Sequence, residues 1–254
     1  HARETAPHLP NAGVVLTGHA CAPDGRAVPS MSVRLGLSRD RPLVDRTIHV
    51  FGARAADNPG AIAPFQKMPV VYGRALGGPG FAENPVGTGG PGSRLLPNFV
   101  DPKDPRKVAC FGPVAADWAP RRALLGGLDP RRVEAAVWEV PAGFDWRFFQ
   151  AAPAEQQCER LHGDEWIVLD GMDAALPRVQ SRLPQVTALA RRQGGPGGGG
   201  GSEEALPLRA DMLVIDADRR VASLIWRERF AVAQAADLER GRVLVGLEMP
   251  GRAI

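Results

Sequence analysis

Residues 14–51, VVLTGHACAPDGRAVPSMSVRLGLSRDRPLVDRTIHVF, decide the fold class. Three runs inside this stretch, VVLTGHA at 14–20, SVRLGL at 32–37 and TIHVF at 47–51, are short, apolar or alternating, and rich in β-branched residues. Between them stand APDGRAVPS and SRDRP, whose Gly, Pro, Asp and Ser are the residues that reverse a chain. A period of two sends successive side chains to opposite faces, so the stretch predicts an antiparallel meander.

The same logic extends toward the C-terminus. EWIVLDGM at 165–172, PRVQSRLPQ at 177–185 and VTALARR at 186–192 read as successive strands. DMLVIDADRRVASLIWRERF at 211–230 reads as a hairpin around DADRR, and RVLVGLEM at 242–249 as one more strand. The hairpin and last strand are too little to bury a core alone, so QGGPGGGGGSEEA at 193–205 is a flexible Gly-rich insertion within one domain spanning 1–254, not a boundary.

Thirty Gly and 24 Pro among 254 residues disfavour long helices. They concentrate between Asp57 and Asp117, in runs such as GGPGFAENPVGTGGPG and LPNFVDPKDP. The apolar anchors Met68, Val70, Val71, Tyr72, Phe81 and Phe99 predict ordered loops wrapped on the core. DPRRVEAAVWE at 129–139, with Val133 and Val137 at helical spacing, is the best helix candidate and ends before Pro141. The expectation is a mainly β, antiparallel sandwich-like single domain with long Pro/Gly-rich ordered loops and one or two short helices.

Net charge is +3, and only Lys67, Lys103 and Lys107 are not Arg among 31 basic residues. Acidic residues are interspersed with the arginines, which argues against a nucleic-acid footprint. No stretch approaches 18 consecutive apolar residues, so no membrane span is expected. Cys21, Cys110 and Cys158 are far apart and odd in number, which fits a reducing cytoplasm better than a disulfide framework. The chain opens on His1, not Met, and is read as a start that lacks part of the N-terminal sheet.

Catalytic patterns are mostly missing. The glycines at 77–92 run into Pro, Ser and Arg, not into a helix carrying a phosphate-binding Lys. Ser93 and Ser202 sit in no G-x-S-x-G elbow. His19 and His49 lie inside strand patterns with no cluster of metal donors, and no cofactor is expected. Asp164 and Glu165 beside His162 are adjacent carboxylates, but neighbours in a strand face opposite ways, and HGDE is turn-forming. An enzyme on this scaffold, hydrolytic or carbohydrate-active, would need paired carboxylates roughly 5–9.5 Å apart. Asp145, Glu155, Asp164 and Glu165 are its candidates.

Aromatic and basic residues interleave at Trp118, Arg121 and Arg122, and again at Trp146, Arg147, Phe148 and Phe149. Buried rings with arginines stacked or capping against them explain this better than a single-strand nucleic-acid groove. Alanine at Trp118, Phe148 or Phe149 is therefore expected to cost about 3–5 kcal/mol.

Seven segments taken in order carry a resemblance: VLTGHACAPDGRAV at 15–28, MPVVYGRALGG at 68–78, ENPVGTG at 83–89, LPNFVDP at 96–102, FGPVAADWAPRR at 111–122, FDWRFFQAAPAEQQ at 144–157 and LHGDEWIVLDGM at 161–172. The chain resembles a bacterial family filed as domain of unknown function two-one-six-nine, linked with type VI secretion. The resemblance implies a cytoplasmic adaptor or chaperone, not an enzyme, that binds a cognate toxin effector and promotes its loading on the VgrG/PAAR spike. It transfers no catalytic residue. Aromatic, Arg and amide residues of the diagnostic blocks, Trp118, Arg121, Arg122, Trp146, Phe148, Phe149 and Gln156, are the partner-binding candidates. A structural component travelling with the spike is the other reading within the same system.

Overall fold

The structure, a computed structural model, describes residues 9–129, 133, 141–193, 203–229 and 242–248. Among the described residues sixteen strands follow one another: β1 (Ala12–Thr17), β2 (His19–Cys21), β3 (Ser30–Ser38), β4 (Pro42–Phe51), β5 (Lys67–Pro69), β6 (Leu76–Gly77), β7 (Thr88–Gly89), β8 (Phe99–Val100), β9 (Gln157–Cys158), β10 (Trp166–Asp170), β11 (Arg178–Arg182), β12 (Thr187–Gln193), β13 (Glu203–Pro207), β14 (Arg209–Asp216), β15 (Val221–Arg227) and β16 (Arg242–Glu248). One four-residue α-helix, α1 (Ala119–Arg122), is described among them. The 129–139 helix expected from sequence falls mostly outside the described residues; within it Val133 is helical and buried. No helix among the described residues is long and apolar enough to cross a membrane.

The architecture is mainly β and sandwich-like. A four-stranded sheet runs β15-β14-β1-β9 and a five-stranded sheet β11-β10-β3-β4-β8. Val14 and Leu16 of β1 and Leu213 and Ile215 of β14 share one core with Val33, Leu35 and Leu37 of β3, Ile48 and Val50 of β4, and Ile167 and Leu169 of β10. A third sheet, β13-β12-β16, continues from the ends of β11 and β14.

The two sheets read differently in sequence for a physical reason. β4, PLVDRTIHVF, alternates buried and less buried residues because one of its faces meets solvent. β1 is buried along both faces, Val14 and Leu16 in the main core and Val15 in a second cluster with Leu9, Ala152 and Met212. The meander expected over 14–51 holds for β3 and β4, which pair antiparallel from Ser30↔Phe51 to Ser38↔Pro42. β1 leaves it: it runs parallel to β14, with Val15 opposite Val214. A fully buried strand reads as a continuous apolar run, and VVL shows one. Gly13 is what lets the outer layer close in, since a Cβ there would strike the Gln150 side chain and Ala152.

The Pro/Gly-rich loops are hydrogen-bonded structures. Asn84 is fully buried and its Nδ2 donates to the carbonyls of Tyr72 and Leu76, each at 2.9 Å. The loop closes on this side chain through Gly78 N to Asn84 O at 2.9 Å and Thr88 N to Ala75 O at 2.8 Å. Gly77 takes a φ of +157° there, and any Cβ would run into Asn84.

On the solvent face of the five-stranded sheet a ladder of charges alternates. Arg34 meets Asp45 at 2.7 Å and Asp170 at 3.7 Å, and Arg178 meets Asp170 at 2.7 Å. Hydrogen bonds from Arg34 and Arg178 hold the carboxyls of Asp45 and Asp170 below the ordinary 3.8. A lowered folded pKa gives stability that is present above the unfolded value and lost as pH falls through the folded one. Both carboxylates are partly exposed, so the ladder contributes at most about 1 kcal/mol. In urea titrations below the ordinary carboxylate pKa, an Asp45→Asn/Asp170→Asn variant should lose less stability on acidification than the parent.

Candidate partner-binding surface

The segments holding the aromatic and arginine candidates fold together as a lobe beside the four-stranded sheet. Trp118 stands just before α1, where Pro120 presets the first turn. Its ring is 9% exposed and lies edge-on to Tyr72, centroids 4.9 Å apart. Burial raises the Tyr72 hydroxyl above its ordinary range, so it stays neutral.

Residues 146–149 form a single 3-10 turn capped by Asp145, whose carboxylate accepts the Arg147 N–H at 3.0 Å. Arg121 joins this turn to α1: its Nε donates to Phe148 O at 2.7 Å and its Nη1 to Val114 O at 2.8 Å. The guanidinium also lies 5.4 Å from the centre of the Phe148 ring. Phe148 is buried with Leu125 and Val133 in a small core of the lobe's own. Phe149 is half-buried and touches both that core and the cluster on the outer face of β1 and β14, which fastens the lobe to the sheet. Trp146 stacks on Phe149 at 6.0 Å and meets Phe144 edge-on at 5.2 Å. Next to these rings a hollow of about 380 Å³ opens between Ala123–Leu125 and Pro141–Asp145.

Of the seven candidates, six therefore lie in one lobe, but they divide by exposure. Trp118 and Phe148 are buried, Arg121, Trp146 and Phe149 are half-buried, and Arg122 is exposed. Gln156 departs from the surface role its motif implied: it is fully buried. Its Nε2 donates to Val14 O at 2.7 Å and Phe111 O at 2.9 Å, and its Oε1 accepts from Arg46 Nη1 at 2.7 Å. Arg46 donates onward to Cys110 O at 2.8 Å. Gln156 is thus an internal brace between the sheets, because the short turn at 154–156 aims it inward.

Three of the four candidate carboxylates are held by their own partners, and Glu155 is not. Arg147 grips Asp145 in a two-pronged pair and keeps its pKa low. Glu155 is largely exposed, 4.0 Å from Arg46. Asp164 lies between Arg39 at 2.9 Å and Arg182 at 3.6 Å. Glu165 is fully buried and accepts the backbone N–H groups of His162 and Gly163, which makes HGDE the turn its composition predicted. Burial pushes the thiols of Cys110 and Cys158 up to about 11, so both are protonated at neutral pH.

Sequence reading missed Arg46, although its signal was present: in Val44, Arg46, Ile48 and Val50 an arginine occupies an inward position of an alternating strand. It also missed Trp166, 40% exposed on the solvent face of the five-stranded sheet beside Arg182, whose guanidinium lies 5.7 Å from the ring.

A family model described as an uncharacterized protein conserved in bacteria (DUF2169) matches residues 1–227. No curated protein and no solved structure matches the chain.

Proposed function

Since the chain belongs to the DUF2169 family of bacterial proteins, we propose that it is an effector adaptor of type VI secretion, one that holds a cognate toxin effector in the cytoplasm and promotes its loading on the VgrG/PAAR spike. The observation that supports this reading best is the aromatic-arginine lobe. Phe148 sits in the lobe's own core, Trp118 packs on Tyr72 and Phe149 fastens the lobe to the sheet, while the half-buried Trp146 and the exposed Arg122 are its outward members. Aromatic and Arg side chains on a rigid support are the types that dominate protein interfaces, since they contribute large contact area for little ordering entropy.

The adaptor role is one of binding, and three of the four candidate carboxylates, Asp145, Asp164 and Glu165, are engaged by partners within the fold. Tagged full-length protein recovered from its native host should retain an effector, a VgrG or a PAAR protein at near-stoichiometric yield, and the tagged chain should be missing from the secreted fraction. Arg122→Glu, a change at an exposed position, should cut that yield by about tenfold or more while the melting temperature holds. An empty eluate from the parent protein would remove the reading's support. Recovery of the chain in secreted material would replace it with a spike component.

A further inference from the structure

We propose that β16 is a self-association edge, through which two copies of this chain pair antiparallel about a two-fold axis at Val245. The proposal concerns a strand remote in sequence from the aromatic lobe and does not rest on the adaptor reading.

Among the described residues β16 has one neighbour, β12, and its other edge is open. Native sheets protect an open edge with charges, prolines, bulges or a cover. The centre of β16 carries no charge or proline and, among the described residues, no cover: Val243, Leu244, Val245 and Leu247 are 47%, 51%, 69% and 48% exposed. The exposure interrupts an apolar row. Leu206 of β13 lies opposite Ala190 of β12, which lies opposite Val245. The first two are 8% and 4% exposed, whereas Val245 is open to water. Leu247 stands in the same relation to the buried Ala188. The face buried on β13 and β12 thus continues onto β16 without a cover among the described residues.

The sequence RVLVGLE is complementary to its own reverse. Antiparallel pairing centred on Val245 sets Arg242 opposite Glu248 of the second copy at both ends. Val243 then meets Leu247, giving a continuous stripe of six apolar residues on one face. On the other face Leu244 meets Gly246, where the space a side chain would fill is open. Opposite charges, apolar pairs and a large residue over a glycine are each favourable across strands. A two-fold interface requires one surface to complement itself, and this strand does. A single edge is a small interface, so the expected dissociation constant is on the order of micromolar.

Sedimentation of the full chain across a concentration series should show a monomer–dimer equilibrium. Arg242→Glu and Glu248→Arg each place like charges at both ends and should weaken the dimer by about tenfold. The double variant R242E/E248R restores opposite charges and should recover it. Val245→Cys should form a covalent dimer on mild oxidation, since directly opposed residues bring their Cα atoms within disulfide range. Circular dichroism melts of the variants, whose changes are all on exposed positions, check that the fold persists. A chain that stays monomeric throughout overturns the proposal. So does a dimer indifferent to the charge changes, or an edge found occupied by a strand of another protein.

Discussion

Gln156→Ala should cost about 3–5 kcal/mol of unfolding free energy, because it leaves several buried groups without partners at once. Arg46 is 6% exposed and loses the amide oxygen that faces its guanidinium, while Val14 O and Phe111 O lose their donor. Those groups belong to β4, β1 and the loop before α1, so one side chain ties together three separate parts of the sandwich. Gln157→Ala is the control. Its Nε2 makes one bond, to Ala152 O at 2.9 Å from a half-buried position, and its removal should cost no more than about 1 kcal/mol. Urea denaturation of both variants measures the contrast, and equal losses would mean that Gln156 is not a brace.

Phe148→Ala should cost about 3–5 kcal/mol in the stability of the lobe, as expected for a buried ring. The structure separates it from its neighbour. Phe148 is 2% exposed inside the lobe's own core, whereas Phe149 is half-buried and bridges to the sheet. Phe149→Ala should therefore destabilise less and act on how the lobe is fastened. Because the lobe's core is distinct from the main one, its loss need not unfold the sandwich. Hydrogen exchange of the Phe148→Ala protein should show lost protection over 118–128 and 144–149 with protection kept in β3, β4 and β10. Uniform loss throughout would mean that lobe and sandwich unfold as one unit.

The strands were largely legible from sequence because each reports its own burial. β4 alternates, β14 and β15 flank a DADRR turn, and β10 follows a turn made by HGDE. Pairing partners were harder to read. Nothing local in VVLT names MLVI as its neighbour, although both runs are continuous enough to mark strands buried on two faces. The lobe was legible as a concentration of rings, but not the division within it. Phe148 and Phe149 are adjacent and identical, and only the 3-10 turn sends one inward and leaves the other at the seam. Gln156 is a partner-binding candidate in sequence only as an amide within a block that carries the resemblance, and its place inside the core is not legible there. A polar side chain inside a core is visible only when the carbonyls it must satisfy are known, and here they come from residues 142 and 45 positions away.

The parallel pairing of β1 with β14 bears on how the chain is made. A ribosome releases β1 roughly 200 residues before the strand it will run beside. At common elongation rates that interval is roughly 10–40 s. For that time VVLT waits without the neighbour that covers one of its edges, while β3 and β4 have already emerged together and can close as a hairpin. Nascent chains should thus acquire the five-stranded sheet first, and the early strand is the segment most in need of a holding chaperone at the ribosome.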